Sequence, residues 1–318
     1  MQSNDKDDKM DRRNFIQRCL ATATVSAATL AGCGDGGDDA PPRRTYLLVH
    51  GAWHNAQHWN LVANALSARG HRVVAIDLPG NGLSAALPQS YLTQNLAALA
   101  TEVSPVKDVT LQQQSDAIVA ALRRLAPQGP VVLVAHSAGG LAMTLAVETA
   151  PELVTRMVYL SAHCPVAFPN MVGYLGLPEN ASARLNPTFI GDFGVLGAVR
   201  INPRAADAAY QEALRVGFYN DLGTAQARPW INLLTPDLPL HVAIDEVHPT
   251  VARWGRVPRS YIRTLQDNAF PLALQDRQIA EADAFTPGNK FQVLTLDSSH
   301  SSFASRPDAL AAQLDALA

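Results

Sequence analysis

Ala135-His136-Ser137-Ala138-Gly139-Gly140 is the segment of this sequence best suited to chemistry. It sets a serine among small residues, after an apolar β-branched run and before a helix-forming one. That is the G-x-S-x-G nucleophile elbow, with Ala135 in place of the first glycine. A strand-to-helix turn this tight admits only small neighbours, and it lifts the Ser137 hydroxyl above the end of the strand. The N–H of Ala138 then opens the helix, where developing negative charge is stabilised. Without partners, the same serine would be an ordinary helix N-cap.

A serine hydroxyl is a poor nucleophile unless a base takes its proton, and the base needs a carboxylate to orient it. Nine histidines compete for the first role. His300, within Leu296-Asp297-Ser298-Ser299-His300-Ser301-Ser302-Phe303, follows the last apolar run and precedes the last helix, and is the predicted base. His136 adjoins the serine, but its side chain is expected to point away from it. His50 falls on the loop after the first strand. His54 and His58 stand four apart, as helix-borne metal ligands do, yet no Glu accompanies them, so no metal is expected. The chain order Ser…Asp/Glu…His places the carboxylate between positions 137 and 300. Asp192, Asp237, Asp245 and Glu246 lie away from predicted strand ends, and Asp297 shares the His300 loop and supports its turn. Asp267, just after Tyr261-Ile262-Arg263-Thr264-Leu265-Gln266, is the predicted acid. The loop His50-Gly51-Ala52-Trp53 is expected to supply a second oxyanion N–H, from Ala52, with Gly51 allowing close backbone approach. Asp77-Leu78-Pro79-Gly80-Asn81-Gly82 reads as a turn-making loop.

These residues need a scaffold that brings strand ends together. From Thr45 short β-branched runs alternate with longer amphipathic ones, which predicts a mostly parallel sheet of about six strands with helices on both faces. The predicted strands begin at Thr45, Arg72, Pro130, Arg156, Ser260 and Phe291. The helices between them cover Trp59 to Ala68, Leu111 to Leu125, Leu141 to Ala150 and Pro271 to Ala282, with a last one from Pro307. Gly70 is placed to end the first helix. The rhythm breaks between about 162 and 256, where prolines, glycines and aromatics scatter, and this stretch reads as a largely helical cap inserted over one end of the sheet.

The composition agrees with an enzyme of this kind. Of 318 residues 47% are hydrophobic and 17% charged, which excludes wholesale disorder. The net charge of −3 leaves no positive surplus for a nucleic-acid partner. Residues 1–33 read as a twin-arginine-type lipoprotein signal: Arg12-Arg13, a mild apolar run too short to span a membrane, then Leu30-Ala31-Gly32-Cys33 in the manner of a bacterial lipobox. Cys33 is then the expected point of lipid attachment, the only predicted tie to a membrane, and the protein is expected in the periplasm or cell envelope. Residues 34–44 read as a flexible tether, and 45–318 as the folded domain. Processing would leave Cys164 as the one thiol among the three cysteines.

Three segments taken together resemble the plant methylesterase and hydroxynitrile lyase group of the α/β-hydrolase superfamily, with related bacterial esterases. His50-Gly51-Ala52-Trp53-His54 with Trp59 is similar to that group's oxyanion loop, and His136-Ser137-Ala138-Gly139-Gly140 to its elbow. Asp267-Asn268-Ala269-Phe270-Pro271 and Ser299-His300 are similar to the segments carrying its acid and base. The likeness implies an α/β-hydrolase fold, no cofactor and ester hydrolysis through a triad of Ser137, His300 and Asp267, with Ala52 and Ala138 as oxyanion donors. The group's lyases carry Thr and Lys where this chain has Gly51 and Ser301, which favours hydrolysis over cyanohydrin cleavage. The expected partner is a small uncharged ester, and the expected pocket walls are Trp53, His54, His163, Phe168, Tyr174 and Trp230. A lactonase with the same triad, a lyase and a non-catalytic binding protein remain as alternatives.

Overall fold

Three central strands of continuous apolar residues fix the architecture, because a parallel sheet buried on both faces needs them. In the computed structural model, which describes residues 43–129 and 131–317, these are β1 (Thr45–Val49), β3 (Val131–His136) and β4 (Arg156–Leu160). Flanking them are β2 (Arg72–Ile76), β7 (Arg259–Thr264) and β8 (Gln292–Leu296), in the order β2-β1-β3-β4-β7-β8, every pairing parallel. The edge strands β2 and β8 are only partly buried and carry Arg72 and Gln292 at their starts, which suits positions with an unpaired side. The expected residues 1–33 signal, the 34–44 tether up to Pro42 and Cys33 lie outside the described residues.

Helix boundaries follow local chemistry. Helix α1 (Asn60–Ala68) ends at Gly70, whose φ of 89° suits a residue without Cβ. Helix α2 (Leu111–Leu125) opens with a capping box between Thr110 and Gln113. Helix α3 (Gly139–Thr149) starts two residues after Ser137 and stops before Pro151. Between β4 and β7 lie α4 (Ala208–Phe218), capped by the Asp207 carboxylate, and α5 (Thr224–Asn232). Helices α6 (Leu272–Phe285) and α7 (Pro307–Leu317) complete the frame.

The stretch between β4 and β7, expected as a largely helical cap, is not helical throughout. It contains an antiparallel ribbon of β5 (Ala198–Arg200) and β6 (Asp237–Pro239), three residues each and too short to show alternation in sequence. A buried ion pair joins them, Arg200 Nε to Asp237 Oδ1 at 2.6 Å and Nη2 to Oδ2 at 2.7 Å, and Arg200 also donates to the carbonyls of Leu99 and Glu102. Cap residues Val199, Leu214, Phe218, Leu238 and Val242 share one apolar core with the sheet. The strand order reverses between β1 and β3, so the crevice beyond their carboxyl ends is where such a sheet offers a site.

Candidate active site

Ser137 follows β3 directly, with φ of 52° in the left-handed region that side chains with a Cβ seldom adopt. Close approach around it explains the glycines. A Cβ on Gly139 would lie 2.4 Å from the His50 carbonyl oxygen, and one on Gly140 2.2 Å from that of His163. On the loop after β1, a Cβ on Gly51 would lie 2.6 Å from that of Ser137, so this loop packs on the elbow itself. Trp53 on the same loop also has positive φ, 59°. Non-glycine residues held in this region cluster at functional sites, where surrounding structure over-determines them.

His300 and Asp267 meet across two neighbouring strand ends: His300 Nδ1 lies 2.7 Å from Asp267 Oδ2, both side chains buried. The carboxylate is fully dressed. Its Oδ2 also accepts from the Thr264 hydroxyl at 2.8 Å and the Gln275 amide at 3.4 Å, and its Oδ1 from the N–H groups of Ala269 and Phe270. His136 turns its ring to the base loop, Nε2 donating to the His300 carbonyl at 3.0 Å. The other acids are employed elsewhere. Asp192 caps a short helix, Asp237 pairs with Arg200, Asp245 accepts from Leu111 N–H, Glu246 pairs with exposed His248, and Asp297 holds Gln266.

The histidines separate on the same ground. Burial pushes His50 down to about 4 and His58 and His163 down to about 3, and it holds His54 and His136 well below the usual range. These five are neutral at pH 7, and their hydrogen bonds define their tautomers. His50 Nδ1 donates to the Gly51 carbonyl while Nε2 accepts from Leu78 N–H at 3.0 Å, which clamps two loops together. His54 Nδ1 donates to the Ala52 carbonyl at 2.7 Å, and Nε2 accepts from the Tyr219 hydroxyl at 3.2 Å. Among the described residues no group of three or more His, Cys, Asp or Glu is placed to hold a metal ion.

Ala52 and Ala138 are buried, yet among the described residues neither N–H has an acceptor. Buried N–H groups without partners are rare. Both residues line a cavity of about 10 Å³, together with Gly51, Leu78, Asn81, Gln114, Leu238 and Val242. That volume holds one water, or one carbonyl oxygen. None of the six expected wall residues borders it. Trp53 donates through Nε1 to the Val199 carbonyl and packs on Phe218. His54 is used as above, and His163 lies against Phe270, ring centres 4.5 Å apart. The Tyr174 hydroxyl donates to Glu281 and receives three backbone N–H groups, with Phe168 packed on its ring. Trp230 is half-buried beside His58. Their rings pack against neighbouring residues, and the polar atoms of Trp53, His54, His163 and Tyr174 find partners within the protein. Neither the small cavity nor a larger cleft of about 320 Å³, between Asn55, Leu83, Tyr91 and Arg204, is lined by Ser137, His300 or Asp267, and the two alanines line only the smaller one.

Sequence reading did not single out Thr264, Tyr219 or Asp221, and took Gln275 only as part of a segment beyond Asp267. Gln275 carried a signal: with Gln278 it interrupts the buried face of α6 that holds Leu274, Ile279 and Ala282. A glutamine on such a face needs internal partners, and it finds them at Thr264, Asp267 and Phe270.

Residues 46–313 match the family described as Alpha/beta hydrolase family. Among curated proteins, Putative methylesterase 15, chloroplastic, of Arabidopsis thaliana is 25% identical over 84% of this chain, which spans only 55% of that protein's length. Probable esterase PIR7A of Oryza sativa subsp. indica is 31% identical, over 70% of this chain and 78% of its own. A crystal structure of a pyrethroid hydrolase superposes with a TM-score of 0.67, covering 86% of this chain and 96% of the other at 22% identity, a likeness of fold.

Proposed function

The chain belongs to the alpha/beta hydrolase family, and from that premise we propose that it is a serine carboxylic-ester hydrolase working through an acyl-enzyme. The observation that carries this reading is that Ala52 and Ala138, both buried and with no acceptor for their N–H groups among the described residues, line one cavity of a single oxygen's size, Ala138 directly following Ser137 in the chain. Donors set in advance around the place where negative charge develops are the largest single contribution to acyl-transfer catalysis in many enzymes. The names of the curated relatives, esterase and methylesterase, support the same class of bond.

In this reading the Ser137 oxygen attacks the ester carbonyl while Nε2 of His300 takes its proton. Asp267 keeps the other ring proton on Nδ1, 2.7 Å away, and stabilises the imidazolium. The carbonyl oxygen, now negative, sits between the two alanine N–H groups. Collapse breaks the ester C–O bond, and the alcohol leaves with the proton from His300. Water then attacks the acyl-enzyme, giving its proton to His300, and the acid departs as Ser137 is restored. The cavity wall carries no charged side chain, His50 being neutral, which suits an uncharged ester or lactone.

Release of nitrophenol from short-chain esters tests this directly. The wild-type protein should turn over and Ser137→Ala should lose about 10⁴-fold or more in kcat; equal rates in the two proteins would refute the triad. Opening of a lactone panel separates esterase from lactonase, and cyanide release from mandelonitrile would restore the lyase reading that Gly51 and Ser301 disfavour. We further propose that Cys33 is lipidated and anchors the enzyme in a bacterial envelope after twin-arginine export. Fatty-acid label in the wild-type protein should then vanish in Cys33→Ala.

A further inference from the structure

Three consecutive residues of the cap, Tyr219-Asn220-Asp221, each reach a different loop of the site. The Tyr219 hydroxyl donates to His54 Nε2 at 3.2 Å, and His54 in turn holds the carbonyl of Ala52. Asn220 Nδ2 donates to the Gln266 carbonyl at 3.0 Å, one residue before Asp267. Asp221 Oδ2 accepts the N–H of Ser299 at 2.9 Å, one residue before His300. The turn is itself held from α4, where Arg215 donates to the carbonyls of Asn220 and Leu222 and is paired with Glu212. Two further contacts run the same way, Asn268 Nδ2 to the Val216 carbonyl and Arg184 N–H to the Asn268 carbonyl. None of the three residues lines the cavity that Ala52 and Ala138 border.

We propose that Tyr219-Asn220-Asp221 is a positioning clamp that sets the oxyanion, acid and base loops in register from the cap, with Asp221 as its main positioning residue. The inference rests on the triad reading above. Geometry favours Asp221 within the clamp. Its bond is to the backbone N–H of Ser299, on the loop that carries the base and next to His300 itself, whereas Asn220 reaches the acid loop and Tyr219 acts only through His54. Displacing a catalytic group by about 1 Å can cost 100-fold in rate. A residue that acts only through loop position should therefore change kcat and leave substrate affinity alone.

The test compares wild type, Asp221→Ala, Asp221→Asn, Asn220→Ala and Ser137→Ala on one short-chain nitrophenyl ester, with thermal midpoints and the rate of labelling by a fluorophosphonate probe. Asp221→Ala should lower kcat and the labelling rate about 10- to 100-fold with KM within about threefold. Asp221→Asn, whose amide oxygen still accepts the Ser299 N–H, should recover to within about threefold of wild type. An Asp221→Ala protein within twofold of wild type overturns the clamp, and so does an Asp221→Asn protein as slow as Asp221→Ala. If Asp221→Ala does not fold, Asn220→Ala decides by the same kcat and KM criterion. Activity surviving in Ser137→Ala would instead remove the triad reading on which the clamp depends.

Discussion

Asp267 accepts five hydrogen bonds, and only one of them comes from His300. The other four aim Oδ2 at His300 and leave the carboxylate no freedom to rotate. Asp267→Asn would keep an oxygen for the Ala269 and Phe270 N–H groups, so the fold should survive. The amide NH₂ would then face His300 Nδ1, two donors opposed, and the imidazole would adopt the wrong tautomer. A fall in kcat of about 10³- to 10⁴-fold is expected, with a thermal midpoint within a few degrees of wild type by scanning calorimetry. A loss below tenfold would mean that the carboxylate is not the orienting acid. At this scale the meeting of Asp267 with His300 was legible in the sequence, because both are marked by place: each follows a strand, in a chain order few topologies permit. Side-chain surroundings were not legible. Trp53, His54 and Tyr174 look like pocket walls as residue types, but where they point depends on the backbone groups they find: the carbonyls of Val199 and Ala52, and the N–H groups of Val166, Ala167 and Phe168.

Elements bring these residues together through contacts that leave no space for a methyl group. Helix α3 begins against the loops after β1 and β4, and Gly140 is the closest point, with the His163 carbonyl 2.2 Å from where its Cβ would be. A backbone oxygen cannot yield as a flexible side chain does. Gly140→Ala should therefore lift α3 from the sheet, cost about 1–3 kcal/mol of stability in urea titration and move Ala138 N–H away from the oxyanion. Gly288→Ala, with nothing within 4 Å of the new Cβ, is the control and should be near neutral. If Gly140→Ala matched that control, the tight helix–strand contact would not be holding the elbow. The six parallel strands and their helices were readable from alternation because each carries several residues of a single period. The ribbon β5–β6 was not, since three-residue strands take their conformation from pairing and from the Arg200–Asp237 bridge. The prolines and glycines of residues 162–256 announced a cap without revealing how its turn at 219–221 meets the loops.

Over the whole molecule, the packing that hides this site also makes it sensitive to acid. Five histidines, at 50, 54, 58, 136 and 163, are buried and neutral, and burial is the first cause of the lowered pKa at each. In the unfolded chain they protonate near the ordinary value of about 6.5. Above that pH neither state binds the protons, and the histidines' contribution to stability is complete. As pH falls below about 6.5 the unfolded state takes up protons that the folded state refuses, and stability declines. For His50 the decline continues to about 4, and for His58 and His163 to about 3, where the folded protein also protonates. Each histidine adds a slope of up to about 1.4 kcal/mol per pH unit within its window. Several acting together should lower the thermal midpoint steeply between pH 6.5 and 5, before most carboxylates titrate. Scanning calorimetry across pH 5 to 8, fitted for protons taken up on unfolding, measures this: uptake of two or more protons near pH 5.5 is expected. A midpoint flat from pH 7 to 5 would mean that these rings protonate in place. Because His50 and His54 hold the loop that carries Ala52, activity lost on brief exposure to pH 5 should return at pH 7 with the thermal midpoint, as one transition and not two.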